Sequence, residues 1–252
     1  MSFSRLYDGA GPQRVNRWLA QSGVCSRREA EALIAGGRVA IDGQTVTDVG
    51  RKIEPGQSIE VVGLGAAAPL PFTAVIHKPV GYVSAQPEPG QVPAARLLVP
   101  DRLVGQADIP GPDASLPALG RLDMDSRGLL LLSQDGVLAK ALIGPTSRLD
   151  KEYEVAVTGE VTGRKLRQLR HGLELDGRQL KPASVTEIGD HCLRFILTEG
   201  RKRQIRRMCQ LVELHVIDLY RVRIGPLVLG DLPEGRWRAL TSEERAALIN
   251  AA

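Results

Sequence analysis

The stretch Gly63-Leu64-Gly65-Ala66-Ala67-Ala68-Pro69-Leu70-Pro71 constrains this chain more than any other segment. Its small residues and prolines carry neither a helical nor an alternating apolar period, so no amphipathic element runs through it. It reads as an interdomain linker at 63–71, with one unit before it at 13–62 and a larger one after it at 72–245. A chain of 252 residues is long enough for both units to bury a core. Those cores must be mainly aliphatic, because aromatic residues make up only 4%.

In the first unit, Val15, Trp18 and Leu19 recur at helical spacing from Arg14 onward, and Gly23 is a stop signal. Ser26-Arg27-Arg28-Glu29 has the spacing of a capping box, in which hydroxyl and carboxylate satisfy each other's backbone amides, and predicts a second helix ending at Gly36-Gly37. Val39-Ala40-Ile41 and Gln44-Thr45-Val46 flank Asp42-Gly43, a two-residue hairpin signal, and Ser58 to Val62 predicts a last strand.

Beyond the linker, strand-like runs at Thr73 to His77, Gly128 to Ser133, Glu152 to Val157, Leu193 to Thr198 and Val216 to Ile224 are interleaved with helical patterns at Val137 to Ile143 and Thr162 to Leu169. Residues 104–116, rich in Gly, Pro and Asp, predict an irregular loop. The expected fold class is α+β: a small helix-helix-hairpin domain, then a larger domain around a mixed or antiparallel sheet.

Charge narrows the partner. The excess of 33 Lys+Arg over 29 Asp+Glu is small but clustered. Arg201, Lys202, Arg203, Arg206 and Arg207 fall within one short segment, and Arg27, Arg28 and Arg38 form a second group. Clustering of this kind predicts a polyanion as partner. The stripe Ile205, Met208, Cys209 and Val212 predicts that the first group rides on a helix packed against a core. The cysteines, Cys25, Cys192 and Cys209, have no CxxC spacing, which argues against a disulfide framework or zinc site and fits a reducing cytoplasm. The N-terminus lacks an apolar signal core, and the longest aliphatic run, Leu129 to Leu132, is too short to cross a bilayer, so no membrane association is expected.

The most distinctive segment is Gly120-Arg121-Leu122-Asp123-Met124-Asp125-Ser126-Arg127-Gly128, set directly against four leucines. Taken alone, Asp123 would read as a turn residue or a cap. The abrupt change from polar to wholly apolar sequence instead predicts a site.

GRLDMDSRGLLLLSQDG resembles the signature of the pseudouridine synthases of the RsuA/RluB/RluF type, with Ser133-Gln134 where Thr-Asn is usual. His77-Lys78-Pro79-Val80-Gly81 resembles that family's NKPxG block, Lys151-Glu152-Tyr153 its KxY block, and Glu199 to Met208 its EGRNRQIRRM block. RVNRWLAQSGVCSRREAEALIAGGRVAIDG resembles the ribosomal-protein-S4-type RNA-binding domain at the head of these enzymes. Gln204 to Cys209 and the closing GRWRALTSEE look most like the RluF branch, which acts on large-subunit ribosomal RNA.

The resemblance implies that Asp123 is the catalytic carboxylate, that Arg206 pairs with it, and that Tyr153 stacks on the flipped uracil and helps remove the C5 proton. It further implies that Arg121, Leu122, Leu219 and Lys78 contact the substrate, Lys78 through a phosphate. Arg27, Arg28, Arg38, Arg201, Lys202, Arg203 and Arg207 would contact RNA. His77 is assigned no chemistry. The reaction conserves every atom except exchanged protons, so neither a metal nor another cofactor is implied. The partner expected is structured RNA, ribosomal and possibly transfer RNA, with small-subunit RNA as the alternative target and a monomer as the working unit. Two other readings compete: a non-catalytic RNA-binding factor, and a nucleoside or glycoside hydrolase, which would need a second carboxylate such as Asp125.

Overall fold

The computed structural model describes residues 3–22, 24–25, 27–63, 71–111 and 116–252, apart from the side chain of Arg28. The helix stop at Gly23, the capping box at Ser26 and most of the 63–71 linker lie outside the described residues. The chain divides into two compact units, Met1–Pro71 with Gln134–Lys140, and Phe72–Ser133 with Ala141–Ala252. Among the described residues no helix is long and apolar enough to cross a membrane.

The first unit contains β1 (Phe3–Leu6), α1 (Val15–Gln21), α2 (Arg27–Ala35), β2 (Val39–Ile41), β3 (Gln44–Val46) and β4 (Ser58–Val61). Its antiparallel sheet has the order β1-β4-β2-β3. Asp42 and Gly43 both have positive φ, 49° and 77°, the backbone twist that a two-residue hairpin requires. Val15 and Leu19 of α1, Ile34 of α2 and Ile41, Ile59 and Val61 of the sheet are buried in one aliphatic core. The apolar pattern carries no sign of β1, because three of its four residues are exposed and no apolar face repeats along it.

The helix α3 (Gly136–Ile143) falls across the division between the units. The second unit contains β5 (Thr73–Lys78), β6 (Arg127–Ser133), β7 (Lys151–Thr158), α4 (Gly163–Arg170), β8 (Ser184–Gly189), β9 (Cys192–Leu197), α5 (Gln204–Leu211), β10 (His215–Ile224), β11 (Leu227–Val228), β12 (Trp237–Ala239) and α6 (Ser242–Asn250). Eight strands form one sheet in the order β8-β9-β7-β10-β6-β5-β12, with β11 paired to β10. One cluster packs Leu169 of α4 and Ile205, Met208 and Cys209 of α5 against Val155, Phe195 and Leu219. The apolar stripe expected on α5 is thus buried. A second cluster gathers Ile76, Leu97, Leu122, Leu130 and Trp237.

The sheet is antiparallel except where β6 meets β10. That parallel ladder holds two residue pairs, Arg127 with Tyr220 and Gly128 with Arg221. Gly128 has a φ of 113°, and a Cβ there would be driven into the backbone carbonyl and amide of Arg221. Only glycine permits both the conformation and the approach. The Asp123 motif leads straight into this junction.

Candidate active site

The loop from Gly120 to Ser126 is held mainly through its backbone. The Leu122 amide donates to Ser84 Oγ at 2.9 Å, and the same hydroxyl donates back to the Leu122 carbonyl at 2.6 Å. Arg221, only 1% exposed, donates from Nη2 to the Gly120 carbonyl at 3.1 Å, from Nη1 to the Arg121 carbonyl at 3.3 Å and from Nε to the Leu129 carbonyl at 2.8 Å. On the far side of Asp123, its carbonyl accepts from the Ser126 amide at 3.1 Å, closing a tight turn. Arg206 Nη2 then donates to the Asp125 carbonyl at 2.7 Å and to Ser126 Oγ at 3.3 Å. The Asp123 carboxylate remains 38% exposed.

That carboxylate faces a cleft of about 890 Å³. Tyr153 enters the cleft from β7, where the register against β10 shifts between Glu152 and Tyr153. Such an irregularity re-aims the side chains beside it. The Tyr153 ring packs against both apolar clusters of the sheet, which limits its motion. Leu219 from β10 and Arg121 and Leu122 from the loop line the same cleft, as do Arg201, Lys202 and Arg203. The structure therefore brings together Asp123, Tyr153, Leu219, Arg121, Leu122 and three of the cations singled out in the sequence.

The remaining predicted residues are placed differently. Arg206 does not form the expected ion pair with Asp123. Its guanidinium lies behind the loop, with Nη1 on the Val216 carbonyl at 3.2 Å and Nε 3.4 Å from Asp125 Oδ2. Asp123 has Arg203 in ion-pair reach instead, Nη1 to Oδ2 at 3.8 Å. Arg203 engages Asp125 more closely, in a bidentate pair at 3.1 and 2.8 Å. Burial alone would raise the Asp125 carboxyl, but the hydrogen bonds from Arg203 and the charges of Arg206 and Arg203 outweigh it and hold the group below the ordinary aspartate value.

Lys78 is not available to a phosphate. It is fully buried, and its ammonium donates to the Pro79 and Tyr82 carbonyls, both at 2.8 Å. Burial pushes it down to about 8 against the opposing charge of Asp125. Its role is to hold the turn after β5. Arg207 is absent from the cleft lining and forms a bidentate pair with Asp176 at 2.8 and 2.6 Å. Arg27 and Arg38 are exposed on the first unit, Arg38 with Nε on the Val62 carbonyl at 3.1 Å, and the Arg28 side chain is outside the described residues. His77, assigned no chemistry, is buried, bonded through Nδ1 to the Leu232 carbonyl at 2.7 Å and stacked on Tyr220.

Three residues at the site carried no assignment from the sequence. Arg221 stands in a strand that also carries Asp218 and Arg223, so nothing in the sequence marks it above them, and only its burial does. Lys151, which lines the cleft two residues before Tyr153 and is lowered by burial and then by the charge of Arg221, lay within a recognised block but had no role there. Ser84 had no signal either, because a serine in an irregular segment is indistinguishable from a solvated one.

Comparison with known proteins bears on both units. A model described as S4 domain matches residues 13–59, and one described as RNA pseudouridylate synthase matches residues 73–211. The chain is 36% identical over 236 residues to the ribosomal small subunit pseudouridine synthase A of Pseudomonas aeruginosa, covering 92% of this chain and 98% of that protein. It is 34% identical over 238 residues to the ribosomal large subunit pseudouridine synthase B of Bacillus subtilis, covering 92% and 93%. A solved structure described as a pseudouridylate synthase superposes with a TM-score of 0.65 at 26% identity, covering 93% of this chain and 99% of the other.

Proposed function

The chain belongs to the RNA pseudouridylate synthases, and accordingly we propose that it isomerises uridine in ribosomal RNA with Asp123 as the catalytic carboxylate. The observation that carries this reading is the cleft in which the partly exposed Asp123 carboxylate, Tyr153 and Leu219 converge. Pseudouridine formation breaks the C1′–N1 bond, turns the uracil, joins C5 to C1′ and removes the C5 proton. A carboxylate fixed at the ribose can add to C1′, add to C6 or take the 2′ proton, and Asp123 serves all three routes. Tyr153 stacks on the uracil and holds it during rotation, with its hydroxyl aiding proton removal, and Leu219 closes the apolar side. The uridine enters flipped out of its stack, because no carboxylate reaches a ribose carbon inside a helix.

Arg121, Arg201, Lys202 and Arg203 ring the cleft and suit the phosphates flanking the target, while Arg27, Arg28 and Arg38 extend the contact through the S4 domain. Relatives named for each ribosomal subunit support ribosomal RNA as the substrate class, and the RluF-like Gln204–Cys209 segment favours the large subunit. The working unit is taken as a monomer, and the three free cysteines suit a cytoplasmic location.

Large- and small-subunit RNA fragments tritiated at C5 of uridine test the proposal. With chelator present and no added nucleotide, label should pass to solvent in proportion to the pseudouridine formed, from large-subunit RNA in preference. Asp123→Asn should release none while its RNA affinity stays within a few-fold of the parent. Free uracil among the products would mark a hydrolase, and unchanged RNA a binding factor.

A further inference from the structure

Arg221 is the most deeply buried of the cations that line the cleft, and its guanidinium hydrogen bonds all run to carbonyls. A guanidinium taken out of water without a carboxylate is costly unless its donors are fully engaged, and its planar fork can engage several carbonyls in one fixed geometry. Here the carbonyls flank the Asp123 loop: Gly120 and Arg121 open it, and Leu129 stands in β6 beyond its end. The backbone of Arg221 also pairs with Gly128, where no side chain is tolerated. One residue on β10 therefore closes the loop that presents the Asp123 carboxylate, and Ser84 fixes the residue between, Leu122, through both its amide and its carbonyl.

We propose that Arg221 is a positioning residue for the reaction, acting through the backbone of the Asp123 loop, with Ser84 as its second anchor. The inference rests on Asp123 being the catalytic carboxylate. Its physical basis is that a nucleophile or base displaced by about 1 Å loses on the order of 100-fold in rate, although its own chemistry is untouched. No other side-chain type substitutes for Arg221: lysine carries the charge but reaches the three carbonyls neither together nor in plane.

The test compares Arg221→Ala, Arg221→Lys and Ser84→Ala with the parent in single-turnover tritium release, with RNA affinity and thermal melting measured on each. Arg221→Ala should lower the maximal rate by roughly 100-fold, with RNA affinity changed no more than about threefold. Methylguanidinium added to Arg221→Ala should restore part of that rate without changing affinity, an effect that a general loss of stability would not produce. Arg221→Lys should recover only part of the loss, and Ser84→Ala should fall by about tenfold.

Parent rate in folded Arg221→Ala or Arg221→Lys would overturn the inference, as would weakened RNA binding at an unchanged maximal rate, which would make Arg221 an RNA contact. If Arg221→Ala does not fold, Arg221→Lys and Ser84→Ala decide: parent rates in both overturn the inference, and lowered rates at native melting support it. Asp123→Asn, run alongside, separates the two levels. Activity in that variant removes the catalytic assignment, whereas an inactive Asp123→Asn beside a fully active Arg221→Ala removes only the role of Arg221.

Discussion

Asp125 takes the closest charge-assisted contacts of the site, leaving Asp123 with one longer contact, to Arg203 at 3.8 Å. The neighbour absorbs the guanidinium groups, and the partly solvated carboxylate stays open to substrate. Replacing Arg206 by Ala leaves the Asp125 carbonyl and Ser126 hydroxyl without their donor behind the loop and should cost about 2 kcal/mol of transition-state stabilisation. Arg203→Ala should instead weaken RNA binding more than it slows the chemical step; single-turnover rates and affinities of the two variants, measured together, check this contrast. Because the Asp125 carboxyl is lowered in the fold, its stabilising effect is present above about pH 4 and is lost as pH falls through the lowered value. The melting temperatures of parent and Asp125→Asn should accordingly differ by a constant amount from about pH 5 to about pH 6, and converge as pH falls through the lowered value. That Asp123, Tyr153 and Leu219 share one cleft was expected from the resemblance of their motifs, not from apolar period or spacing. The partners of Arg206 and Lys78 were not legible, since sequence reports a side chain's charge but not its depth, and depth is what turns both inward to backbone carbonyls.

Among the elements, the strands that the apolar pattern marks are the ones buried on both faces, as in β5 and β6, or alternately, as in β9. β8 was not legible, because only Val185 of its six residues is buried and an edge strand needs no second apolar face. β12 was not legible either: three residues are too few to show a period, and Trp237 is fixed by the core and by its Nε1–H to the Val99 carbonyl at 3.0 Å. Of the short segments, Gly128 carries the sharpest consequence. Gly128→Ala forces a Cβ into the Arg221 backbone at a positive φ and should destabilise the protein by about 3 kcal/mol or more. Urea unfolding should register this as a lower midpoint, accompanied by loss of turnover even under conditions where the variant remains folded.

Over the whole molecule, the chain divides into two compact units, the first of which takes in Gln134–Lys140 as well as Met1–Pro71, a return that no linker composition signals. The exposed cations of the first unit predict that deleting residues 1–63 weakens binding to long ribosomal RNA. The slope of log affinity against log salt should become shallower by roughly 0.7–0.9 for each phosphate that the shortened protein no longer neutralises, as fluorescence titrations at several salt concentrations would show. Unchanged affinity and slope would assign that unit another partner. The second unit holds its own consequence in the two-pair parallel ladder between β6 and β10, the shortest join along the run of strands from β8 to β12. Side chains make up for the missing backbone pairs: Arg221 of β10 donates to the Leu129 carbonyl of β6, and Arg127 of β6 holds Asp218 of β10 in a bidentate pair. The width of the cleft between Asp123, carried on the β6 side, and Tyr153, carried on the β7 side, is therefore set by guanidinium groups more than by a backbone ladder, and an arginine lost at this seam loosens the cleft itself.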